Sequence, residues 1–271
     1  MITIGVFGTS GMLGGYVNAY FRQHDFEVMP FSRADVITEP KKLRERLAAL
    51  SPKPQVIINC VGVIKPQVAV EGTAETVRVN SLFPHILSAV GGELGCQVIH
   101  ITTDCVFSGR QGNYSEGAVH DELDIYGRSK SLGEPADCMV VRTSIIGEER
   151  LHTRSLIEWA KSQAGQEVRG YTNHTWNGIT CLEFAKVVHR LIDREITWKG
   201  VRHVFSPSAV NKLELLQLID DAFDLHLQIL PHETPIPCYR TLATQFEDVI
   251  AECAVSELAQ QLHELRAFRW D

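Results

Sequence analysis

Tyr126 and Lys130 lie four residues apart in the run Tyr126-Gly127-Arg128-Ser129-Lys130. On a helix that spacing puts both side chains on one face. A free phenol has a pKa of about 10. An ammonium at about 5 Å favours the phenolate by a few kcal/mol at an effective dielectric near 20. The spacing therefore predicts a phenol tuned to give a proton to a forming alkoxide. Thr103, at the end of the apolar run that leads into Thr102-Thr103-Asp104, is placed to give the same oxygen a second hydrogen bond. Lys130 would also reach the ribose hydroxyls of a nicotinamide cofactor.

A glycine-rich turn supplies the partner chemistry. Gly8-Thr9-Ser10-Gly11-Met12-Leu13-Gly14 follows a short apolar run and precedes a helical pattern. Glycine serves three needs there: a tight turn, close approach to a pyrophosphate, and close packing of helix on strand. The helix N-terminus then offers free N–H groups and a positive dipole end. Gly8, Ser10, Gly11, Met12, Leu13 and Gly14 are the expected dinucleotide contacts. One strand later comes Phe31-Ser32-Arg33, with no acidic residue for a ribose 2′-hydroxyl. Arg33 can pair with a 2′-phosphate and Ser32 can donate to it, which favours NADP(H). NAD(H) is the alternative, with Arg33 then a solvated surface residue.

Alternating strands and helices must position these groups. Strands are expected over 2–7, 27–31, 56–59, 97–101 and 138–142. Helices are expected from the glycine turn to about residue 24, from Pro40 with Leu43, Leu47 and Leu50 on one face, over 75–94, and around Tyr126 and Lys130. Pro84 inside 75–94 predicts a kink. This alternation implies a parallel sheet covered on both faces. The second half is less regular. Helices are expected over 155–164, over 181–193 behind a capping box at Thr180 and Glu183, over 212–223 and over 256–265. A strand is expected over 201–205, and the proline-rich 231–237 reads as loop. The expected fold is α/β: a Rossmann-type, doubly wound parallel sheet with a smaller α/β substrate lobe. Residues 1–148 form the dinucleotide-binding domain, with elements returning from about 166–194. The lobe takes about 149–165 and 195–271.

Composition narrows the class. The 271 residues are 44% hydrophobic and 22% charged, which excludes a disordered or fibrous chain. A net charge of -7 argues against a dedicated nucleic-acid or anionic-membrane binder. No apolar run reaches transmembrane length. The seven cysteines form no metal-type spacing, and their odd number points to reduced thiols. With an N-terminus that lacks signal-peptide features, the expectation is a cytoplasmic protein without a metal.

The GxxGxxG spacing resembles the short-chain dehydrogenase/reductase superfamily, in particular its extended branch. Thr103-Asp104-Cys105-Val106-Phe107-Ser108-Gly109, Tyr126 to Glu134, and Val141-Arg142-Thr143-Ser144 make the resemblance specific. They are similar to the dTDP-4-dehydrorhamnose reductase family. Gly11-Met12-Leu13-Gly14, Asn59 to Gly62 and Val79-Asn80 match as well. The likeness covers residues 1 to about 148, continues less closely to about 190, and returns at Arg240-Thr241-Leu242.

It implies NADPH-dependent reduction at C4 of a nucleotide-linked 4-keto-6-deoxyhexose, with Thr103, Tyr126 and Lys130 as the catalytic set. It also implies cofactor contacts from Asp35, Val36, Cys60, Val61, Gly62 and Asn80. Asp104, Cys105, His174, Trp176 and Arg240 become candidates for the sugar nucleotide. Where such reductases often carry Trp and Tyr after Arg-Thr-Ser, this chain has Ile145 and Ile146.

Cys105 has the offset of the epimerising cysteine in GDP-fucose synthase-like enzymes, with His174 as a matching acid. It either acts as such a base or packs behind the site. Cys105 also replaces the Glu of the Asp-Glu pair in related sugar 4,6-dehydratases. The regulatory subunit of methionine adenosyltransferase resembles the same fold and binds NADP as a partner protein. The expected partners are thus a nucleotide sugar and possible pairing as a homodimer.

Overall fold

The computed structural model describes residues 1–150 and 153–270. Its first half runs β1 (Ile2–Phe7), α1 (Met12–Arg22), β2 (Phe26–Phe31), α2 (Pro40–Ala48), β3 (Val56–Asn59), α3 (Val68–Val77), α4 (Phe83–Glu93), β4 (Gln97–Thr103), α5 (Ile125–Ser131) and β5 (Met139–Thr143). The second half adds β6 (Ile145–Ile146), α6 (Leu156–Ser162), β7 (Glu167–Tyr171), β8 (His174–Trp176), β9 (Ile179–Thr180), α7 (Cys181–Asp193) and β10 (Gly200–His203). After these come β11 (Val210–Asn211), α8 (Lys212–Phe223), β12 (Gln228–His232), β13 (Cys238–Arg240), α9 (Glu247–Cys253) and α10 (Leu258–Ala267).

Six strands form one parallel sheet in the order β10-β5-β4-β3-β1-β2. Side chains alternate between its faces. Ile4, Val6, Ile58 and Val141 enter one core with Tyr16 of α1 and Phe184 of α7. Phe7, Ile57, Val98 and Val140 enter the other with Leu43 of α2 and Phe83 of α4. This is the doubly wound α/β architecture. Because the strands are parallel, their C-terminal ends share one edge, where ligand sites of such sheets form.

The later segments divide differently from the expectation for 166–194 and 195–271. β10 joins the large sheet beside β5, whereas β7 pairs with β12, and β8 pairs with β11 and β13. β7 alternates exposed and buried residues, the pattern of a strand covered on one face rather than inside a parallel sheet. Pro231, expected in a loop, lies in β12; a two-stranded edge tolerates its missing N–H.

The kink expected at Pro84 takes the form of a π turn, Arg78–Leu82, between α3 and α4. Proline cannot donate to the carbonyl of Asn80 four residues back, and its ring crowds that carbonyl. A widened turn accommodates both problems. The helix also begins earlier than expected, at Val68, with a break at Gly72 (φ 80°, ψ 163°). The capping box at Thr180 is half made. Thr180 Oγ1 accepts from Glu183 N, but Glu183 turns its carboxylate to Arg190, and Thr180 N donates to Gln261.

Among the described residues no helix is long and apolar enough to cross a membrane. None of their His, Cys, Asp and Glu side chains cluster to hold a metal.

The π turn also receives Gly133, which follows α5. A Cβ there would lie 1.8 Å from the Asn80 carbonyl oxygen. Gly133→Ala should therefore destabilise the protein by about 1–3 kcal/mol, read as a lower urea midpoint at unchanged m-value. An unchanged midpoint would show that this contact does not fix α5.

Candidate active site

The glycine turn is built from backbone. Gly8 adopts φ +86°, and a Cβ on Gly14 would lie 2.2 Å from the Gly8 oxygen. α1 opens on Gly11 with no side-chain cap and no acidic residue in its first turn. Ser10 and Gly11 are exposed, whereas Leu13 and Gly14 are buried. The free N–H groups of Met12, Leu13 and Gly14 and the absent side chains thus fit a dinucleotide pyrophosphate.

The end of β2 is more committed than expected. Ser32 caps a short 3₁₀ turn and donates to Asp35 from both its backbone N (2.9 Å) and its Oγ (3.0 Å). Asp35 also accepts from Arg46, and Val36 is buried in the core. Arg33 is exposed and holds Glu71 with both terminal nitrogens, at 2.8 and 2.6 Å, and Glu75 at 3.3 Å. A 2′-phosphate would have to replace these carboxylates.

Beside this turn, the loop after β3 reaches the lysine. A Cβ on Gly62 would lie 4.0 Å from Lys130 Nζ. Val61 N donates to Asn59, and burial pushes the Cys60 thiol up to about 12 against the pull of Lys130. Asn80 is fully engaged. It accepts from Val63 N at 2.8 Å and donates to Val63 O at 2.9 Å and Ser129 Oγ at 3.0 Å. In this structure it is therefore a bracket between that loop and α5, not a free cofactor contact.

Asp124 caps α5 by accepting from Gly127 N at 2.7 Å and holds Lys65 at 2.6 Å. One turn in, Lys130 is buried and donates to the carbonyl of Ile101 at 3.0 Å. Burial brings its pKa down to about 8, opposed by Glu134 and Cys60. Tyr126 is half-buried. Its phenol lies above its ordinary range, chiefly from burial and then from the charge of Cys105; Thr103 opposes the shift. This corrects the lowering expected from the four-residue spacing. Desolvation outweighs it, and the ammonium of Lys130 is turned to the Ile101 carbonyl.

Thr103 accepts from Cys105 N at 3.1 Å and donates to Asp104 at 3.1 Å. Burial raises the Asp104 carboxyl, against the charge of Arg240. Asp104 lines a cavity of about 320 Å³, which brings it together with Cys105, His174, Trp176 and Arg240 from three distant segments.

Arg240 bonds Glu122 at 2.8 Å, the Phe107 carbonyl at 3.0 Å and Cys105 Sγ at 3.7 Å. His174 Nε2 meets Thr234 Oγ1 at 2.8 Å. The Cys105 thiol is pushed up to about 12 by burial and by Asp104. The cavity wall also includes Ser144, the last residue of the Arg-Thr-Ser run, and Cys238 and Lys212, which the sequence motifs did not single out. Lys212 did leave a signal: it is a cation in the first turn of a helix, where the dipole disfavours it.

Arg142 of the Arg-Thr-Ser run lies behind this wall, 1% exposed. It makes a forked pair with Glu134 at 3.0 and 2.6 Å and meets His203 at 2.8 Å and His120 at 2.7 Å. Burial and then Arg142 hold His203 down to about 4. Its neutral ring can accept at Nε2 from Arg142 while Nδ1 donates to the Ala243 carbonyl.

A family model described as the RmlD substrate binding domain matches residues 2–246. The chain is 32% identical over 148 residues to a dTDP-4-keto-6-deoxy-D-glucose reductase of Streptomyces niveus, a match covering 51% of each chain. It is 26% identical over 251 residues to methionine adenosyltransferase 2 subunit beta of Danio rerio, over 81% of this chain and 73% of that one. The solved dTDP-4-dehydrorhamnose reductase of Bacillus anthracis str. Ames, in complex with NADP, shares the fold. Its TM-score is 0.82 at 18% identity, over 98% of this chain and 99% of that one.

The buried lysine sets a pH dependence. Its folded pKa of about 8 lies below the ordinary 10.5, so between these values the unfolded chain binds the extra proton. Stability relative to Lys130→Met should therefore rise by up to a few kcal/mol from about pH 8 to about pH 10.5. Urea unfolding of both proteins across that range measures it, and a flat difference would refute the burial of this ammonium.

Proposed function

Since the chain belongs to the RmlD substrate binding domain family, we propose that it reduces the C4 keto group of a nucleotide-activated 4-keto-6-deoxyhexose with NADPH. The product would serve deoxysugar or polysaccharide biosynthesis. The observation that carries this reading is that Tyr126 lies beside Thr103, Asp104 and Cys105, and that Asp104 and Cys105 line a cavity closed by the C-terminal segments. The likeness to a dTDP-4-keto-6-deoxy-D-glucose reductase supports the same substrate class.

Gly8, Ser10, Gly11, Met12, Leu13 and Gly14 would hold the pyrophosphate, Ser32 and Arg33 the 2′-phosphate, and Cys60, Val61, Gly62 and Lys130 the nicotinamide half. When bound, the reduced dinucleotide supplies a hydride. The chain supplies the rest. Tyr126, kept a neutral phenol by burial, gives its proton to the sugar oxygen as the carbonyl carbon is reduced. Thr103, whose oxygen accepts from Cys105 N and whose single O–H faces Asp104, gives that oxygen a second hydrogen bond when the O–H turns from Asp104 to the sugar. Lys130, fixed by the Ile101 carbonyl, keeps positive charge beside the site up to about pH 8.

The reading is reduction without epimerisation. A base at Cys105 needs a thiolate, and a thiol pushed up to about 12 stays protonated near neutrality. The likeness to methionine adenosyltransferase 2 subunit beta favours a second reading, an NADP-binding regulatory subunit.

Tyr126→Phe separates the two. With dTDP-4-keto-6-deoxyglucose, it should lower kcat by at least about 100-fold while NADPH binding, read by fluorescence, is kept. Full activity in the variant would remove Tyr126 as the acid, and a wild-type protein inert across a panel of nucleotide 4-keto sugars would support the regulatory reading. For the cofactor, Arg33→Ala should weaken NADPH roughly tenfold, Glu71→Gln should tighten it, and NADH should be affected by neither. Equal effects on both dinucleotides in a titration would argue against a 2′-phosphate contact.

A further inference from the structure

Lys212 is the first residue of α8, whose N-terminus is already satisfied. Asn211 accepts from Glu214 N at 2.9 Å, and Glu214 accepts from Asn211 N at 2.8 Å. A cation in that turn opposes the helix dipole, so the helix gains nothing from it. The side chain instead lines the cavity, with Nζ 5.0 Å from the centre of the buried Trp176 ring. The residue is half-buried, and desolvation lowers the pKa of its ammonium.

Asp104, Cys105, Cys238 and Arg240 surround it. Among the described residues, the ammonium donates to no side chain or carbonyl and makes no ion pair. Arg240, the other cation of this wall, is spent on Glu122, the Phe107 carbonyl and Cys105. Asp104, the nearby carboxyl, is raised by burial and turned to Thr103 and Ser144. The cavity thus presents one uncommitted positive charge, partly desolvated and steadied by an aromatic face. Such a charge is costly unless something pairs with it.

We propose that Lys212 is a specificity residue that pairs with an oxyanion of the substrate, an inference that rests on the nucleotide-sugar reading of the site. An oxyanion can come from two parts of a nucleotide sugar: the diphosphate, which the 4-keto-6-deoxyhexose substrate carries, and the carboxylate of an acidic sugar, which would stand in place of that substrate's C6 methyl. Lys212 would select for either by the same chemistry, a charge-assisted hydrogen bond in a site of low dielectric.

Calorimetry tests this on the full chain, with and without saturating NADPH. The probes are thymidine 5′-diphosphate against thymidine, and glucuronate against glucose. The wild-type protein should bind at least one anionic probe and discriminate against its neutral counterpart. Lys212→Gln should weaken that probe by tenfold or more, and Lys212→Arg should retain most of the affinity, with thermal midpoints confirming that both variants fold. A loss confined to the nucleotide assigns the charge to the diphosphate, and a loss confined to glucuronate assigns it to an acidic sugar.

Equal affinities in wild type and Lys212→Gln overturn the proposal, as does a wild-type protein that binds neither anion. An absence of ketoreduction would leave the binding result intact, so the two readings fail separately.

Discussion

Burial of a single ammonium organises this site. Lys130 sits inside the protein with its Nζ on the Ile101 carbonyl, near the end of β4. Removing a charge from water is tolerated only when its surroundings are fixed. The structure fixes them from every side. Asn80 ties the loop after β3 to Ser129, one residue before the lysine. Ser81 donates to the Ser129 carbonyl at 2.7 Å. Gly133 packs on the π turn, and Glu134, next in the chain, takes the buried Arg142 of β5. The middle strands, the widened helix and α5 thus form one frame, and Tyr126 is carried on it.

The two halves of the chain contribute different things to that frame. The first half supplies the glycine turn, Thr103, Tyr126 and Lys130. The second supplies the opposite wall, through β8, the start of α8 and β13. Cation and carboxylate meet across the boundary where Arg240 reaches Glu122, and within the second half Asn177 holds Leu242 through both its donor and its acceptor at 2.8 Å. The residues proposed to read the substrate and those proposed to act on it are thereby tied to the same packing.

What the sequence reveals and what it hides follow from range. The glycine turn, the alternation of strands and helices, and the Tyr-Lys spacing are local patterns, and each appears where the chain predicts it. The cavity residues Asp104, Cys105, His174, Trp176 and Arg240 do converge, although only family likeness linked them beforehand. The pairing of β7 with β12 and the four-residue network around Arg142 join positions far apart in sequence, so no window could show them. The direction of the Tyr126 shift is instructive for the same reason. Spacing reports the charge of Lys130, but burial, which comes from the whole fold, decides the sign. The Asn80 side chain, a cofactor contact by family likeness, is used up by Val63 and Ser129.

The central claim is reduction at one carbon with a protein-held proton and no exchange at its neighbours. Mass spectrometry and NMR of the product test it most directly, using NADPH deuterated at the transferred position in ordinary water, and unlabelled NADPH in heavy water. Ketoreduction at this site predicts one deuterium at C4 from the cofactor, and none bonded to the ring carbons from the solvent. Solvent deuterium at C3 or C5 would contradict it, because it would require a working carbon base in a cavity whose Cys105 thiol is pushed up to about 12.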